Sequence, residues 1–188
     1  SERQLYLIDQ FTLARGRVMV AVDPMAHLAL KPGPDGLPPL NAQRATDLPR
    51  LFASWGVLYD RNAVGMDGET GLPVQIVEAG RTRMRAYPLW FSVPPAGLNQ
   101  ALPGLAGLSR AVNLGSPGVL GFEPETGLNA TPLLSTSAQG ARLDADIAAS
   151  SPSPEELMRG FEPATDAPLT LGLLLDGRFR TAFPDGPP

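Results

Sequence analysis

Residues 5–24, with the sequence LYLIDQFTLARGRVMVAVDP, contain the pattern that decides the predicted fold. Apolar residues recur at helical spacing from Leu5 to Phe11, and Gly16 stands where that helix can end. The next run, RVMVAV from Arg17 to Val22, is β-branched or apolar on both sides, as in a buried strand. A helix that leads into such a strand is the repeating half-unit of a parallel sheet, so the stretch predicts an α/β fold.

The first third of the chain continues this alternation of helix and strand. Residues 31–45 are rich in Pro and Gly and predict a loop. After it, Thr46 or Asp47 is placed to cap a second helix, which Gly56 ends. Short strands are predicted at residues 57–59 and 63–66. We therefore expect residues 1–72 to form an α/β sheet portion.

From residue 73 onward the pattern becomes β-rich. Residues 73–78 and 82–91 predict a hairpin that turns at Ala79-Gly80. Residues 169–175 and 178–183 predict a second hairpin at the end of the chain. Further strands are predicted within residues 111–122 and 131–135, and a helix capped by Ser153. We expect this portion, residues 73–188, to pack with the first as one domain.

Composition excludes several classes of function. Fifteen basic and nineteen acidic residues give a net charge of −4, which argues against a nucleic-acid partner because phosphate binding needs a basic surface. The chain has no Cys, so disulfides, thiolate metal sites and Cys nucleophiles are excluded. No apolar run approaches the roughly 20 residues of a membrane helix. Lys31 is the single Lys, a bias towards Arg that indicates a bacterial source.

Motifs for catalysis and cofactor binding are missing from the sequence. His27 is the single histidine, and no G-x-S-x-G motif supplies a nucleophile for it, so a solvated loop residue is the favoured interpretation. No G-x-x-x-x-G-K-[ST] motif for ATP binding occurs. Asp144 and Asp146 lack a third ligand and predict solvated carboxylates rather than a metal site. The sequence therefore predicts no enzyme, no cofactor and no metal.

Arg81, Arg83 and Arg85 alternate along a predicted strand, so all three point to one face. This face is either an ordinary solvated hairpin surface or a contact surface for an acidic partner or for phospholipid headgroups. Trp90 follows on the same strand, and Trp and Arg are enriched at interface hot spots. These four residues are the candidate interaction surface.

A candidate ligand pocket is predicted from two polar groups at strand ends. Asp23 follows the predicted strand at residues 17–22, at the edge where α/β sheets place ligand groups. Ser135, Thr136 and Ser137 follow an apolar run and offer clustered hydroxyls. The alternative for both groups is structural, with Asp23 turning the chain and the hydroxyls capping a neighbouring segment.

Short motifs spread along the chain resemble the gliding-motility (GldG-type) auxiliary family of ABC transporters. They stand in the order found in that family. The matching stretches are Tyr6 to Phe11, Arg17 to Pro24, Trp55 to Val57, Asn113-Leu114, Gly118 to Leu120, Thr131 to Leu134, Thr136-Ser137, and Gly177 with Ala182 to Pro184.

The resemblance implies a partial Rossmann-like sheet related to glutamine-amidotransferase-like domains, with flanking helices. It also implies a periplasmic or other extracytoplasmic domain of an inner-membrane-anchored bacterial protein. The membrane helices would lie outside this chain, which would begin partway through the domain. An ABC permease and an ATPase are the implied partners.

Three functions follow as hypotheses. The first is a non-enzymatic auxiliary domain of an ABC transport system that acts in assembly or substrate handling. The second is a carbohydrate- or small-molecule-binding domain with its pocket near Asp23 and residues 135–137. The third is a degenerate hydrolase whose catalytic residues lie elsewhere in a longer protein.

Overall fold

The computed structural model describes residues 1–27, 44–78 and 80–188. Five α-helices and nine strands are formed in this part of the chain, together with two short 3₁₀ turns. The helices are α1 (Glu2–Leu13), α2 (Pro49–Trp55), α3 (Pro103–Ala106), α4 (Ala145–Ala149) and α5 (Pro154–Arg159). The strands are β1 (Val57–Tyr59), β2 (Ala63–Asp67), β3 (Gly71–Glu78), β4 (Arg81–Val93), β5 (Val112–Gly115), β6 (Leu120–Phe122), β7 (Leu128–Ser135), β8 (Gly140–Asp144) and β9 (Thr170–Gly177).

The strands form four small sheets in the described residues, and every pairing is antiparallel. β1 pairs with β6, β2 with β8, and β7 with β9, while β3, β4 and β5 form a three-stranded sheet in that order. The expected mixture of helices and strands is therefore confirmed, but the Rossmann-like arrangement is not. β1 and β2 find their partners among strands after residue 73, which replaces the expected parallel neighbours.

The predicted central strand, Arg17–Val22, pairs with no other strand among the described residues and has no regular secondary structure. Val20 and Val22 pack against the core, whereas Met19 is 95% exposed and Val18 is also exposed. A strand apolar on both sides needs cover on both faces, and the described residues cover one. The prediction of a buried central strand is therefore wrong for this part of the chain.

Helix α1 confirms the sequence pattern at its start and revises it at its end. Gln4 Oε1 accepts hydrogen bonds from the Ser1 amino group and hydroxyl, at 3.0 and 3.2 Å, as a capping residue would. At the other end Arg15, not Gly16, takes the left-handed conformation, with φ of 65°. The exposed ring of Phe11 packs over Gly16, in the space that a Cβ there would occupy.

The second helix, α2, ends as predicted but begins differently. Gly56 adopts a left-handed conformation with φ of 70° and stops the helix. Its N-cap residue is Leu48, and no side chain caps the helix there. The prediction that Thr46 or Asp47 is the N-cap is therefore wrong. Thr46 instead accepts a hydrogen bond from the Asp23 N–H at 2.8 Å and joins the two chain segments.

The hairpin of β3 and β4 confirms the prediction for residues 73–78 and 82–91. Its turn residue Ala79 lies outside the described residues. Most of the predicted loop at residues 31–45 lies outside them as well. The prediction of a C-terminal hairpin is wrong, because β9 pairs with β7 and residues 178–183 form no strand. Instead Ala182 and Phe183 are buried against α2 in a hydrophobic cluster.

Three hydrophobic clusters hold the described elements together. The first lies among β2, β8, α4 and α5, the second joins α1 and α2 to the end of the chain, and the third lies between β4 and the segment after it. None of the helices in residues 1–27, 44–78 and 80–188 is long and apolar enough to cross a bilayer.

Candidate functional site

The three arginines of the candidate interaction surface lie on β4, opposite β3 in the hairpin. Arg81 is paired in register with Glu78, so Glu78 shares the face of the arginines. Arg85 donates two hydrogen bonds to the Glu78 carboxylate, from Nε at 3.1 Å and Nη2 at 3.0 Å, and Arg83 Nε lies 3.5 Å from it. The hydrogen bonds from Arg85 hold the pKa of Glu78 below its ordinary value. The surface thus contains a carboxylate that the sequence reasoning missed.

Trp90 lies at the root of the hairpin, away from Arg81 at its tip. It pairs in register with Gly115 of β5 and is 44% exposed. Its ring packs edge-on against Tyr87, with 5.3 Å between the centroids, and against His27 at 6.5 Å. The four predicted residues share one strand but form two patches, one basic and one aromatic. Their role as an interaction surface stays a prediction.

Asp23 holds a turn in the chain. Its Oδ1 accepts a hydrogen bond from the Met25 N–H at 2.8 Å, and its own N–H donates to Thr46 Oγ1. These are the contacts of an Asx-type turn. No hydrogen bond among the described residues joins Asp23 to residues 135–137.

The hydroxyls of Thr136 and Ser137 bind neighbouring segments of the same chain. Thr136 Oγ1 accepts from the Leu169 N–H at 2.8 Å and donates to the Ser137 carbonyl. Ser137 donates to the buried Asp67 carboxylate through its N–H at 2.7 Å and its hydroxyl at 2.8 Å. These two hydroxyls therefore fix the ends of β7 and β9 relative to β2.

Asp67 is the buried group that the sequence did not single out. Burial alone would raise its pKa, but hydrogen bonds from Ser137, Glu69 and Thr70 outweigh it and hold the pKa below the ordinary value. The sequence Asp-Gly-Glu-Thr at residues 67–70 could have indicated this role, since an Asp side chain commonly accepts hydrogen bonds from N–H groups two or three residues later.

Ser135 and Thr136 line a surface cavity of about 320 Å³ together with Asn99 and Pro168. Asn99 donates through its side chain to the Pro132 carbonyl at 2.9 Å, so it is anchored at the cavity wall. Of the three predicted residues 135–137, Ser135 is the one whose hydroxyl makes no hydrogen bond within the described residues. The prediction of a ligand pocket here stays open.

His27 lies beside a hydroxyl that its sequence neighbours did not reveal. Its Nε2 is 3.4 Å from Oγ of Ser116, which is buried and has a positive φ of 50°. A serine nucleophile also needs oxyanion donors and an orienting acid. Pro117 follows and has no N–H, and the Ser116 N–H already donates to the Leu89 carbonyl at 2.6 Å. Within the described residues, the main-chain groups of Ser116 and Pro117 therefore offer no oxyanion donor beside this hydroxyl.

A larger cavity, of about 940 Å³, lies between α2, β1 and β6. Its lining includes Asp47, Asp60, Glu123 and the hydroxyl-bearing Tyr59. Burial raises the pKa of Tyr59 to about 12, with further contributions from the charges of Asp47 and Asp23. The phenol stays protonated at neutral pH, so this cavity can offer a hydrogen-bond donor and negative charge, but no phenolate.

No group of three or more His, Asp or Glu residues within the described ranges is placed to hold a metal ion. Asp144, which was predicted to be solvated, caps α4 by accepting from the N–H groups of Asp146 and Ile147. Asp146 is exposed and lies 3.3 Å from Arg44. The two carboxylates thus have different structural roles.

A family model described as an ABC-type uncharacterized transport system matches residues 1–188, the whole chain. No curated protein and no solved structure matches the chain.

Proposed function

The chain belongs to the ABC-type uncharacterized transport system family, and from that membership we propose that it is a non-enzymatic auxiliary domain that acts in assembly or substrate handling beside an ABC permease and ATPase. The observation that carries the proposal is the match of the family model to all of residues 1–188. A match of that extent includes the core elements, the hairpin and the C-terminal segment.

The sequence and the site geometry support an auxiliary role over the energy-coupling one. Residues 1–188 contain no G-x-x-x-x-G-K-[ST] loop, the phosphate-binding motif of P-loop ATPases. In the part of the chain that the structure describes, the main-chain groups of Ser116 and Pro117 offer no oxyanion donor, and the hydroxyls of Thr136 and Ser137 bind groups within the fold. These observations favour a role in binding and positioning other components of the transport system.

An extracytoplasmic location is part of the same proposal. It rests on the resemblance to the gliding-motility auxiliary proteins, with membrane attachment through helices outside residues 1–188. The location is tested by a protease-accessibility assay on spheroplasts that carry the tagged full-length protein. Cleavage in intact spheroplasts supports an extracytoplasmic site, whereas protection that is lost only after lysis contradicts it.

The role itself is tested by affinity purification of the tagged full-length protein from its native membranes, followed by mass spectrometry. We expect an ABC permease and an ATPase to co-purify with it. An unrelated membrane protein with the same tag, expressed at the same level, is the control for carry-over of abundant transporters. Recovery of the protein without either component would contradict the proposal.

A further inference from the structure

The hairpin of β3 and β4 projects from the rest of the molecule. Residues 81–86 of β4 are exposed at six successive positions, so this strand is open on both of its faces at the tip. Val77 is 75% exposed and Met84 is 54% exposed. A two-stranded ribbon is marginally stable in water by itself, and exposed apolar side chains add to that cost. The tip therefore has the character of a surface that is covered in use.

Both edges of this ribbon carry free main-chain groups. β3 pairs only with β4 in the described part of the chain, and β5 pairs with β4 only at residues 90–93. The outer edge of residues 81–86 thus offers a row of N–H and C=O groups in line with β5. Such an edge is a template for an added strand.

The charge of the ribbon is opposite to that of the whole chain. Residues 71–93 contain Arg81, Arg83 and Arg85 against the single acid Glu78, in a chain of net charge −4. Glu78 serves Arg85 and Arg83, and Arg81 has no ion pair within the described ranges. Side chains of the two faces alternate, with the arginines on one and Thr82 and Met84 on the other.

We propose that the outer edge of residues 81–86 binds an extended acidic segment of a partner protein as an added β-strand. The segment would alternate Asp or Glu with apolar residues, so that its carboxylates face the arginines and its apolar side chains lie beside Met84. Charge selects the partner, and main-chain pairing fixes its register.

A lipid bilayer fits this surface less well than a protein strand does. Anionic headgroups would satisfy the arginines, but the exposed apolar side chains, Val77 and Met84, lie on the opposite face of the ribbon. Val74 and Ile76, on the arginine face, are half-buried. Insertion of the tip would also leave the free N–H and C=O groups of both edges without partners, which is costly in hydrocarbon. A protein strand satisfies the charge and the edge together.

The proposal goes beyond the transporter role and does not depend on it, because the test uses the purified chain and synthetic peptides. A fluorescent peptide of alternating Glu and Val is titrated with the protein, and fluorescence anisotropy reports binding. A peptide of the same composition with its Glu and Val residues in two separate blocks tests the alternation. A peptide methylated at its main-chain nitrogens tests the edge pairing.

The charge requirement is tested with the variant R81E/R83E. We expect the affinity of this variant for the Glu-Val peptide to fall roughly tenfold or more. A Lys-Val peptide should bind the variant more tightly than it binds the wild-type protein. The matched control is R178E/R180E, which makes the same charge change at two exposed arginines after β9 and leaves binding unchanged. Arg85 is kept in all variants because it donates two hydrogen bonds to Glu78, whereas Arg83 makes only a longer contact of 3.5 Å with that carboxylate.

Three results would overturn the proposal. One is equal binding of the alternating and block peptides, which would indicate unspecific charge attraction. Another is unchanged binding by the N-methylated peptide, which would exclude strand pairing. The third is absence of peptide binding together with co-flotation on phosphatidylglycerol vesicles that R81E/R83E abolishes, which would assign the surface to lipid.

Discussion

Oδ1 of Asp9 accepts a hydrogen bond of 2.9 Å from the main-chain N–H of Ala182, which joins the first helix to a segment 173 residues later. The other carboxylate oxygen accepts from the Thr181 hydroxyl at 2.7 Å, and Asp9 is 1% exposed. Asp9 and Ala182 both lie in stretches that carry the family resemblance. The described fold is therefore closed by a buried carboxylate on its first helix.

The variant Asp9→Ala tests this closure. We expect the free energy of unfolding to fall by about 1–3 kcal/mol, because the buried N–H of Ala182 loses its acceptor. Asp9→Asn should lose less, since its amide oxygen can still accept from the Ala182 N–H, although its amide NH₂ no longer accepts from Thr181 and Gln10. Urea denaturation measures both. The control is Asp176→Ala, which removes one exposed hydrogen bond from Asn129, and a loss as large as that of Asp9→Ala would contradict the interpretation.

Arg50 makes a second link to the same segment. Its Nε donates to the Ala182 carbonyl at 2.9 Å, and its guanidinium lies 4.0 Å from the ring centroid of Phe183. Its Nη1 also forms an ion pair of 2.7 Å with Glu2. The planar guanidinium serves all three partners at once, which a lysine ammonium cannot do.

Two substitutions separate these contacts. Arg50→Lys keeps a positive charge for Glu2 but loses the fixed geometry to Ala182 and Phe183, and we expect a loss of roughly 1–2 kcal/mol in unfolding free energy. Glu2→Gln removes only a partly exposed ion pair and should cost less than about 1 kcal/mol. Thermal unfolding compares them. If Glu2→Gln were the more damaging change, the ion pair rather than the C-terminal contact would be the main contribution.

Local signals in the sequence predicted local structure well. Ser153 was expected to cap a helix, and it forms a capping box with Glu156 at the start of α5. The hairpin of β3 and β4 was expected from two β-rich runs around Ala79-Gly80. Both features are decided by neighbours in sequence, so a single chain reveals them.

Partners distant in sequence were not predictable in the same way. The predicted strand at residues 169–175 corresponds to β9 (Thr170–Gly177), but burial of Ala182 and Phe183 draws the following residues away from it, and β7 pairs with it instead. β8 was missed because GARLD has a weak strand pattern, and it forms by pairing with β2. At the candidate site, the alternation of the arginines predicted that they share one face. Glu78 was not predicted there, because its place on that face depends on the pairing of β3 with β4.

Asp67 gives the fold a dependence on acid pH. Hydrogen bonds hold its pKa in the folded protein below the ordinary value of 3.8, despite burial. A carboxyl with a lowered folded pKa contributes stability that is complete above its unfolded pKa and is lost as the pH falls through the folded pKa. Its contribution is thus full at neutral pH and declines below pH 3.8.

The variant Asp67→Asn checks this sign. We expect it to be less stable than the wild type at neutral pH, by about 1–3 kcal/mol, because Ser137, Glu69 and Thr70 lose charge-assisted hydrogen bonds. The difference between the two proteins should shrink as the pH falls below 3.8. Urea denaturation across this pH range measures it, and the other acids cancel because both proteins share them. A difference that grew on acidification would contradict the assignment.

Gly56 is the residue at which backbone conformation and close packing coincide. Its φ is 70°, a Cβ would lie 2.5 Å from Cγ2 of Thr126, and the Glu123 carbonyl oxygen would be 2.9 Å away. Gly56→Ala therefore adds a left-handed strain of roughly 1–2 kcal/mol and a clash with main chain. Gly127 has φ of 77° but open space around it, so Gly127→Ala isolates the strain.

Gly104 completes the comparison, since it lies within α3 with nothing within 4 Å of a Cβ. Gly104→Ala should leave stability unchanged or raise it by up to about 1 kcal/mol. We expect the melting temperature to fall in the order Gly104→Ala, Gly127→Ala, Gly56→Ala. Equal values for the last two would mean that the segment around Glu123 and Thr126 yields to the added methyl, and that strain alone sets the need for glycine after α2.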